Sequence, residues 1–511
     1  MIEQGNREQW GSRIGFILAA AGSAIGLGNI WRFPTTAGDN GGGIFVLLYI
    51  GCVLILGAPI MLAEFTIGRS AQTNAVGAFR KLAPGSPWFA VGGMGVLAGF
   101  LILSYYAVVG GWIIGYLVDS TSGFLFTFTD HAALDAHFKF VAQDPAFSLG
   151  YLAIFMGFTI FIIYRGVGDG IERWSKILMP ILLLLLVVVI LRGLTMPNSL
   201  AGLNFLFIPN FDKIGPGTLS AAMGQAFFSL SLGMGTMITY GSYLSRKQNL
   251  PKSALQVAGL DTSIALLAGM AIFPALFAIT PDLSESMRGG TGLIFVAFPR
   301  IFVEMFGGNL IFAQMFGLTF FLLVFIAALT SSISLLEVVV AYFVDEKGWA
   351  RRKAAIVMGG IIFLIAIPSA LSNENAAQSF TVLGKGFFSI VDLIATEYML
   401  PIGALLISIF VAWRWHKASC LEETRKGGVT FRLGPLWLMI LRWIAPLIIL
   451  QIIVLRVVND LTGNKIIEIG QSFVDGMQWV FTAVDMVLLI GVLIGGVYCW
   501  FRKAKPEVAV E

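Results

Sequence analysis

Charge is scarce in this chain. Only 12% of its 511 residues are Asp, Glu, Lys or Arg, about half of the roughly 25% usual in soluble domains, so a water-soluble globular protein is excluded. Cysteine is rarer still. Cys52, Cys420 and Cys499 are scattered, two of them in apolar runs, and give neither a disulfide framework nor metal-ligand spacing. The three histidines, His131, His137 and His416, fall in loops, which argues against a metal-centred or His-based membrane enzyme. Short alternating strands are also missing, which removes an outer-membrane barrel.

What the chain has is apolar length. Hydrophobic residues make up 57% of it, and runs of about 20 such residues, enough to cross a bilayer as helix, recur from end to end. An all-α polytopic membrane protein of about twelve spans is expected: 14–36, 44–69, 91–120, 147–165, 174–192, 218–244, 255–280, 310–343, 353–371, 381–413, 436–458 and 478–501. The opening MIEQGNREQWGSR is polar and enters the first span without a small-residue cleavage site, so no cleaved leader is expected.

Loop charge sets the orientation. One set of loops collects Arg69, Arg80 and Lys81, then Arg165, Arg173 and Lys176, then Arg246, Lys247 and Lys252, then Lys347 to Lys353, then Arg414 to Arg432. The alternate set is poor in cations; residues 120–146, after Asp119, hold Asp130, Asp135 and Asp144 against Lys139 alone. The positive-inside rule then places both termini in the cytoplasm, and the inner (plasma) membrane is the expected location. The segment 281–309 is long, extracellular and amphipathic, and reads as a lid over the bundle.

The stretch AAAGSAIGLGNIWRFP, residues 19–34, puts Gly22, Gly26, Gly28 and Asn29 in mid-membrane. A helix-interior Gly costs about 1 kcal/mol relative to Ala, and a break frees backbone groups that hydrocarbon cannot satisfy. Close packing of the GxxxG kind would account for Gly22 and Gly26 alone. The sixth span repeats the feature: GQAFFSLSLGMGTMITY carries Gly233-Met234-Gly235 about 207 positions after Gly26-Leu27-Gly28, beside Ser229 and Ser231. Each motif opens a block of five spans, an odd number, so the blocks face opposite ways. Matched interruptions in two inverted halves point to a transporter site. Freed carbonyls suit a cation, freed N–H groups an anion, and both together suit a zwitterion with a hard cation that takes oxygen ligands. Thr330, Ser331, Ser332 and Ser334 in the eighth span supply hydroxyls, unless these back-bond to their own helix.

These residues resemble the neurotransmitter:sodium symporter family, its bacterial amino-acid transporter branch above all. GSAIGLGNIWRFP, NGGG (40–43), RGVGDGIERWSKILMP, GQAFFSLSLGMG and LTSS carry the likeness. The resemblance implies an inverted 5+5 repeat with broken helices 1 and 6 plus two peripheral helices. The corresponding divisions are a cytoplasmic segment 1–13, a first repeat 14–192, an extracellular loop 193–217, a second repeat 218–413, helices 11 and 12 over 414–501, and a tail 502–511.

The resemblance also implies ligands. One sodium would use Ala24, Asn29, Ser229, Asp261 and the substrate carboxylate; a second would use Gly22, Ile25, Ala327, Thr330 and Ser331. The carboxylate would meet the N–H groups of Gly26, Leu27 and Gly28 and the Tyr106 hydroxyl. The ammonium would meet carbonyls of Ala24 and Phe228 and the Ser231 region. Phe228 and Tyr106 would form an aromatic lid, and Ile102, Met234 and Leu335 an apolar side-chain pocket. Monoamine carriers of the family have Asp where this chain has Gly26, so the substrate is expected to bring its own carboxylate.

Departures from the family pattern carry further expectations. Asp261 stands where many relatives have Asn, and its charge would make chloride unnecessary, with Tyr49 and Gln225 bonded to it. Arg32 is the outer-gate cation, with Asp392 favoured over Glu397 as its acid because the aligned position is Ala395. Arg7 and Asp345 would pair as an inner gate, capped by Tyr243, with Trp10 wedged beneath the core. Glu64 and Glu337 would both accept from the sixth-span break; proton coupling through either is the alternative.

The expected activity is sodium-coupled symport of apolar or aromatic amino acids with about two sodium ions. A proton-coupled or exchange-only carrier on the same scaffold is the first rival, and a non-transporting receptor the second. An enzyme is not expected, since GSAIGLGN opens no strand–turn–helix. Lipid is a partner, nucleic acid is not, and a homodimer is an admissible assembly.

Overall fold

A computed structural model describes residues 8–128, 130–215, 217–279, 293–372, 381–382, 385–462, and residues 484, 485, 488, 491 and 492. Nine helices among them are long and apolar enough to cross a membrane: Gly43–Ala71, Phe89–Ser122, Pro145–Tyr164, Val167–Leu194, Leu250–Ile279, Leu310–Lys347, Arg351–Leu371, Phe387–Arg414 and Gly434–Val458. They are spans 2 to 5 and 7 to 11. Span 1 is a bent pair, Arg13–Ala24 and Gly28–Asp39, meeting at 52°. Span 6 is likewise divided into Thr218–Ser229 and Thr236–Ser242. Most of the expected twelfth span and of the lid lie outside the described residues; the described part of the lid segment is helical over Phe298–Met305.

Local chemistry sets the helix ends. Span 8 starts at Asn309, whose side chain accepts from Phe312 N–H at 3.3 Å, and stops at Gly348 with φ 66°, a left-handed cap that favours glycine. Span 4 starts with the Asp144 carboxylate accepting two backbone N–H groups, followed by Pro145 in the first turn. Loops read as plain connections hold short helices, including His131–Gln143, Ser199–Phe207 and Lys417–Arg425. They are too short to register as spans.

Packing separates an inner set of helices from a lipid-facing shell. Spans 3 and 8 run against each other along much of their length, and their middles are buried. Spans 2 and 6 close up through glycine: a Cβ at Gly241 would lie 2.9 Å from Phe65 Cα, and one at Gly68 would strike the Ile238 carbonyl. Such small-residue contacts are what hold helices together where no hydrophobic drive between them exists. On span 5, Leu184 is 63% and Leu191 60% exposed, as a bilayer-facing helix requires.

At the end of the bundle where span 2 stops, Arg69 is fully buried. Its Nε donates to Glu423 at 2.8 Å and its Nη1 to the Gln248 carbonyl at 2.5 Å. Span 2, the loop between spans 6 and 7, and the helix Lys417–Arg425 are thereby tied together.

Candidate functional site

The two breaks face each other at the centre of the bundle. In span 1 the helix ends at Ile25, which turns extended (ψ 99°), and resumes in a wider π-type stretch, Gly28–Arg32. The Gly26 N–H donates to Asn29 Oδ1 at 3.2 Å and the Leu27 N–H to the Tyr106 hydroxyl at 3.3 Å. In span 6, Ser231, Gly233 and Gly235 all take positive φ, 53°, 80° and 74°. Gly233 N–H donates to Glu64 at 2.8 Å, and the Ser231 hydroxyl reaches across to the Ser23 carbonyl at 3.0 Å. The Phe228 carbonyl accepts from Ser231 N–H at 3.2 Å.

Between the breaks lies a small cavity lined by Ser23, Ala24, Gly26, Leu27, Gly28, Ile102, Tyr106, Phe228, Ser231, Met234, Ser331, Ser334 and Leu335. Among the described residues, no charged side chain is in this lining. Its polar groups are backbone and hydroxyls; its apolar wall is Ile102, Met234 and Leu335. A Cβ at Gly26 would strike the Ser331 hydroxyl and lie 3.0 Å from the Tyr106 oxygen, so a side chain there would fill the cavity. The ten residues expected at the substrate all line it, as does Ser331; Ser229 is not in the lining. Ser23, which had no assigned role, and Ser334, one of the eighth-span hydroxyls, are hydrogen-bonded to each other at 2.7 Å and both line the cavity. Their signal was the three-residue spacing to Gly26 and Ser331, which puts them one turn along the same faces.

Two clusters of oxygen flank the cavity. In the first, the buried Asp261 carboxylate accepts from Asn29 Nδ2 at 2.8 Å, from the Ser229 hydroxyl at 2.9 Å and from the Tyr49 hydroxyl at 3.3 Å. Four spans, 1, 2, 6 and 7, meet on it. Gln225 does not. Its Nε2 donates to the Gly28 carbonyl at 2.7 Å, which also accepts from the Phe33 N–H of the π-type stretch. In the second cluster the Thr330 hydroxyl lies 3.0 Å from the Ala327 carbonyl and 3.4 Å from that of Ile25, and Ser331 lies 3.1 Å from that of Ser23. Gly22 adjoins it: a Cβ there would be 3.4 Å from Thr330 Cβ and 3.2 Å from Met179 Sδ. Both clusters offer a hard cation several neutral or anionic oxygens, as its coordination demands.

Leu27, Tyr106 and Phe228 also line a second cavity of about 230 Å³, together with Arg32, Asp392 and Glu397. The Arg32 guanidinium lies 4.6 Å from the Phe228 ring centroid and ion-pairs with Glu397 at 3.4 Å. Asp392, the acid favoured from the sequence, instead accepts from the Thr396 hydroxyl at 2.8 Å. The reason is local geometry. Leu393–Met399 is a wider π-type stretch, so regular helical spacing misplaces the residues beyond it, and Glu397 turns toward span 1.

At the opposite end of the bundle from Arg32, Trp10 packs under the core, its Nε1 donating to the Tyr240 carbonyl at 3.0 Å and its ring 5.3 Å from that of Tyr240. Asp345 accepts from Asn74 N–H at 2.7 Å; Arg7, its expected partner, lies outside the described residues. Glu337 is not at the sixth-span break. It accepts from the Tyr243 hydroxyl at 2.6 Å and ion-pairs with Arg351. Six residues beyond Ser331, it lies about 9 Å further along the helix, and the short turn after span 8 brings Arg351 back onto it.

The chain was compared with known proteins. The pattern of the Sodium:neurotransmitter symporter family matches residues 7–132 and 147–501. The uncharacterized sodium-dependent transporter YhdH of Bacillus subtilis is 42% identical over 86% of this chain and 96% of its own length. An uncharacterized sodium-dependent transporter of Haemophilus influenzae is 34% identical over 88% and 98%. The crystal structure of MhsT in complex with L-phenylalanine superposes with a TM-score of 0.79 at 47% identity, covering 88% of this chain and 99% of that one.

Proposed function

This chain belongs to the sodium:neurotransmitter symporter family, a family of membrane transporters rather than enzymes, and from that premise we propose that it carries amino acids into the cell together with sodium. The observation that carries this reading is the cavity between the two breaks. Its lining has no charged side chain, its polar groups are backbone and hydroxyls, and an oxygen cluster flanks it on either side. A ligand there must balance its own charge. An α-amino acid does so, with its carboxylate toward Gly26, Leu27, Gly28 and Tyr106 and its ammonium toward the Ala24 and Phe228 carbonyls.

The apolar wall of Ile102, Met234 and Leu335 fits aliphatic and aromatic side chains, and the unbranched Met234 adapts to both. The ligand of MhsT, L-phenylalanine, is of this class. Sodium would occupy the Asn29–Ser229–Asp261 cluster and the Ile25–Ala327–Thr330–Ser331 cluster, two ions in all. Asp261 would supply the negative charge that makes chloride unnecessary. Binding of sodium would tighten substrate, and by linkage substrate would tighten sodium by the same factor.

Loop charge supports placement in the plasma membrane with both termini cytoplasmic. Spans 1, 2, 6 and 7 would rock against the remaining helices, Arg32–Glu397 closing the outside and the Trp10 region the inside. Uptake of radiolabelled amino acids into proteoliposomes, with competition by all twenty and with sodium replaced by choline, tests the reading. Uptake that persists in choline would favour a proton-coupled or exchange-only carrier; binding without accumulation would favour a receptor.

A further inference from the structure

Away from both cavities, the cytoplasmic ends of spans 4, 5 and 9 enclose a cleft of about 1650 Å³ empty volume. Arg165, Arg173 and Arg352 line it, and all three are exposed. Among the described residues none of the three has a carboxylate within ion-pair distance. Two of them are held in place nonetheless. The Arg165 guanidinium lies 5.0 Å from the Phe161 ring centroid and that of Arg352 5.0 Å from the Tyr164 ring centroid, stacking that reduces the freedom lost on binding.

Two carboxylates belong to the lining, Glu8 and Asp169. Glu8 is committed to the Val167 N–H at 2.7 Å and faces Arg351, which Glu337 already neutralises. Spans 5 and 9 begin at this cleft and span 4 ends at it, so two helix N-termini outweigh one C-terminus and the helix ends add net positive potential. The rim is apolar: Phe161 and Ile177 are each 44% exposed and continue into the lipid-facing surfaces of spans 4 and 5.

We propose that this cleft binds the phosphodiester headgroup of an anionic phospholipid, with the acyl chains lying along spans 4 and 5. Three arginines without acidic partners call for a net anion. A zwitterionic headgroup brings its own cation, which they repel. A soluble phosphate would use the arginines but leave the apolar rim unused. The site sits where anionic lipid of the cytoplasmic leaflet is available and where basic pockets between spans take such headgroups. This rests on the orientation proposed above only for which leaflet supplies the lipid, and its test requires no transport.

The test is native mass spectrometry of the full-length protein titrated with dioleoyl-phosphatidylglycerol, dioleoyl-phosphatidylcholine or inorganic phosphate. Phosphatidylglycerol should bind at least about tenfold more tightly than phosphatidylcholine, and millimolar inorganic phosphate should not displace it. Arg165→Gln/Arg173→Gln/Arg352→Gln should weaken it at least about tenfold, while Arg246→Gln/Lys247→Gln/Lys252→Gln, with the same change of charge elsewhere on that face, should leave it within about twofold. If the triple variant fails to fold, Arg173→Gln alone should weaken binding by about fivefold. Equal binding of the two lipids, displacement by phosphate, or equal loss in the control variant would each overturn the proposal.

Discussion

Gly233 donates its backbone N–H to the carboxyl group of Glu64 at 2.8 Å, so a fully buried acid on span 2 holds the break in span 6 open. No helical carbonyl is in place to take that N–H, and a buried donor left unpaired costs about 1–3 kcal/mol. Glu64→Ala is therefore expected to destabilise the protein by about that amount, read as a lower midpoint in a detergent thermal melt. Glu64→Gln keeps an acceptor and should recover most of the loss. Equal midpoints for wild type and the Ala variant would remove Glu64 from this role.

Gly26 has no room for a side chain, because a Cβ would enter the space between Ser331 and Tyr106. Gly26→Ala should weaken amino-acid binding by about two orders of magnitude, the equivalent of roughly 3 kcal/mol, because the methyl group takes the ligand's space and displaces the Ser331 hydroxyl. Scintillation-proximity binding of a labelled apolar amino acid measures it. An unchanged affinity would mean that the ligand sits elsewhere.

The breaks themselves were legible before any coordinates: glycine pairs beside Asn29, Ser229 and Ser231 have no other economical explanation when matched at one depth in two blocks. The expected residues that line the cavity come from the family resemblance and not from the breaks themselves. What the sequence could not convey is irregular helix winding and folding-back of short connections. The wide turns of Leu393–Met399 moved Glu397 into the position expected of Asp392. Arg69 and Arg351 are loop cations in the sequence, yet Arg69 is fully buried against Glu423 and Arg351 is held against the buried Glu337. Charge bias reports which side of the membrane a residue is on; it says nothing of which acid meets it.

The Arg32–Glu397 pair closes over Phe228, and both side chains are about one-third exposed, so the pair alone contributes about 1 kcal/mol or less. Its value lies in the outward-closed state. Glu397→Gln should shift the population toward outward-open and slow uptake by about fivefold, which is that energy expressed as a ratio. Asp392→Asn should have a smaller effect on the same assay. A larger effect of the Asp392 variant would restore it as the partner of Arg32.

Asp261 gathers Asn29, Ser229 and Tyr49 around a carboxylate that no water reaches. If its charge replaces a halide, initial uptake rates in sodium chloride and sodium gluconate should agree within about 20%. Asp261→Asn removes that charge and should raise the sodium concentration for half-maximal uptake by at least about tenfold, one opposite charge beside a cation being worth more than about 1.4 kcal/mol in a dehydrated site. A wild type that stops transporting in gluconate would end the chloride-independent reading.

Glu172 fastens the N-terminal segment to span 5. Its carboxylate accepts from Gly11 N–H at 2.7 Å and from the Ser12 hydroxyl at 2.8 Å, and it pairs with Lys176 at 2.5 Å. This contact sits directly after Trp10, whose ring plugs the core beneath Tyr240 and Tyr243. Releasing the segment should therefore loosen the plug. Glu172→Gln removes the charge that makes these bonds strong, each worth about 1.5–3 kcal/mol when charge-assisted, and should favour the inward-open state. With Cys52, Cys420 and Cys499 replaced, a single cysteine at Ser23 on the cavity wall reports that state through its rate of alkylation from the cytoplasmic side. The rate should rise at least about threefold in the Glu172 variant, and Trp10→Ala should raise it further, because losing the ring opens the path that the carboxylate only braces. An alkylation rate indifferent to both changes would leave the N-terminal segment as a membrane-edge anchor with no part in closing the cytoplasmic side.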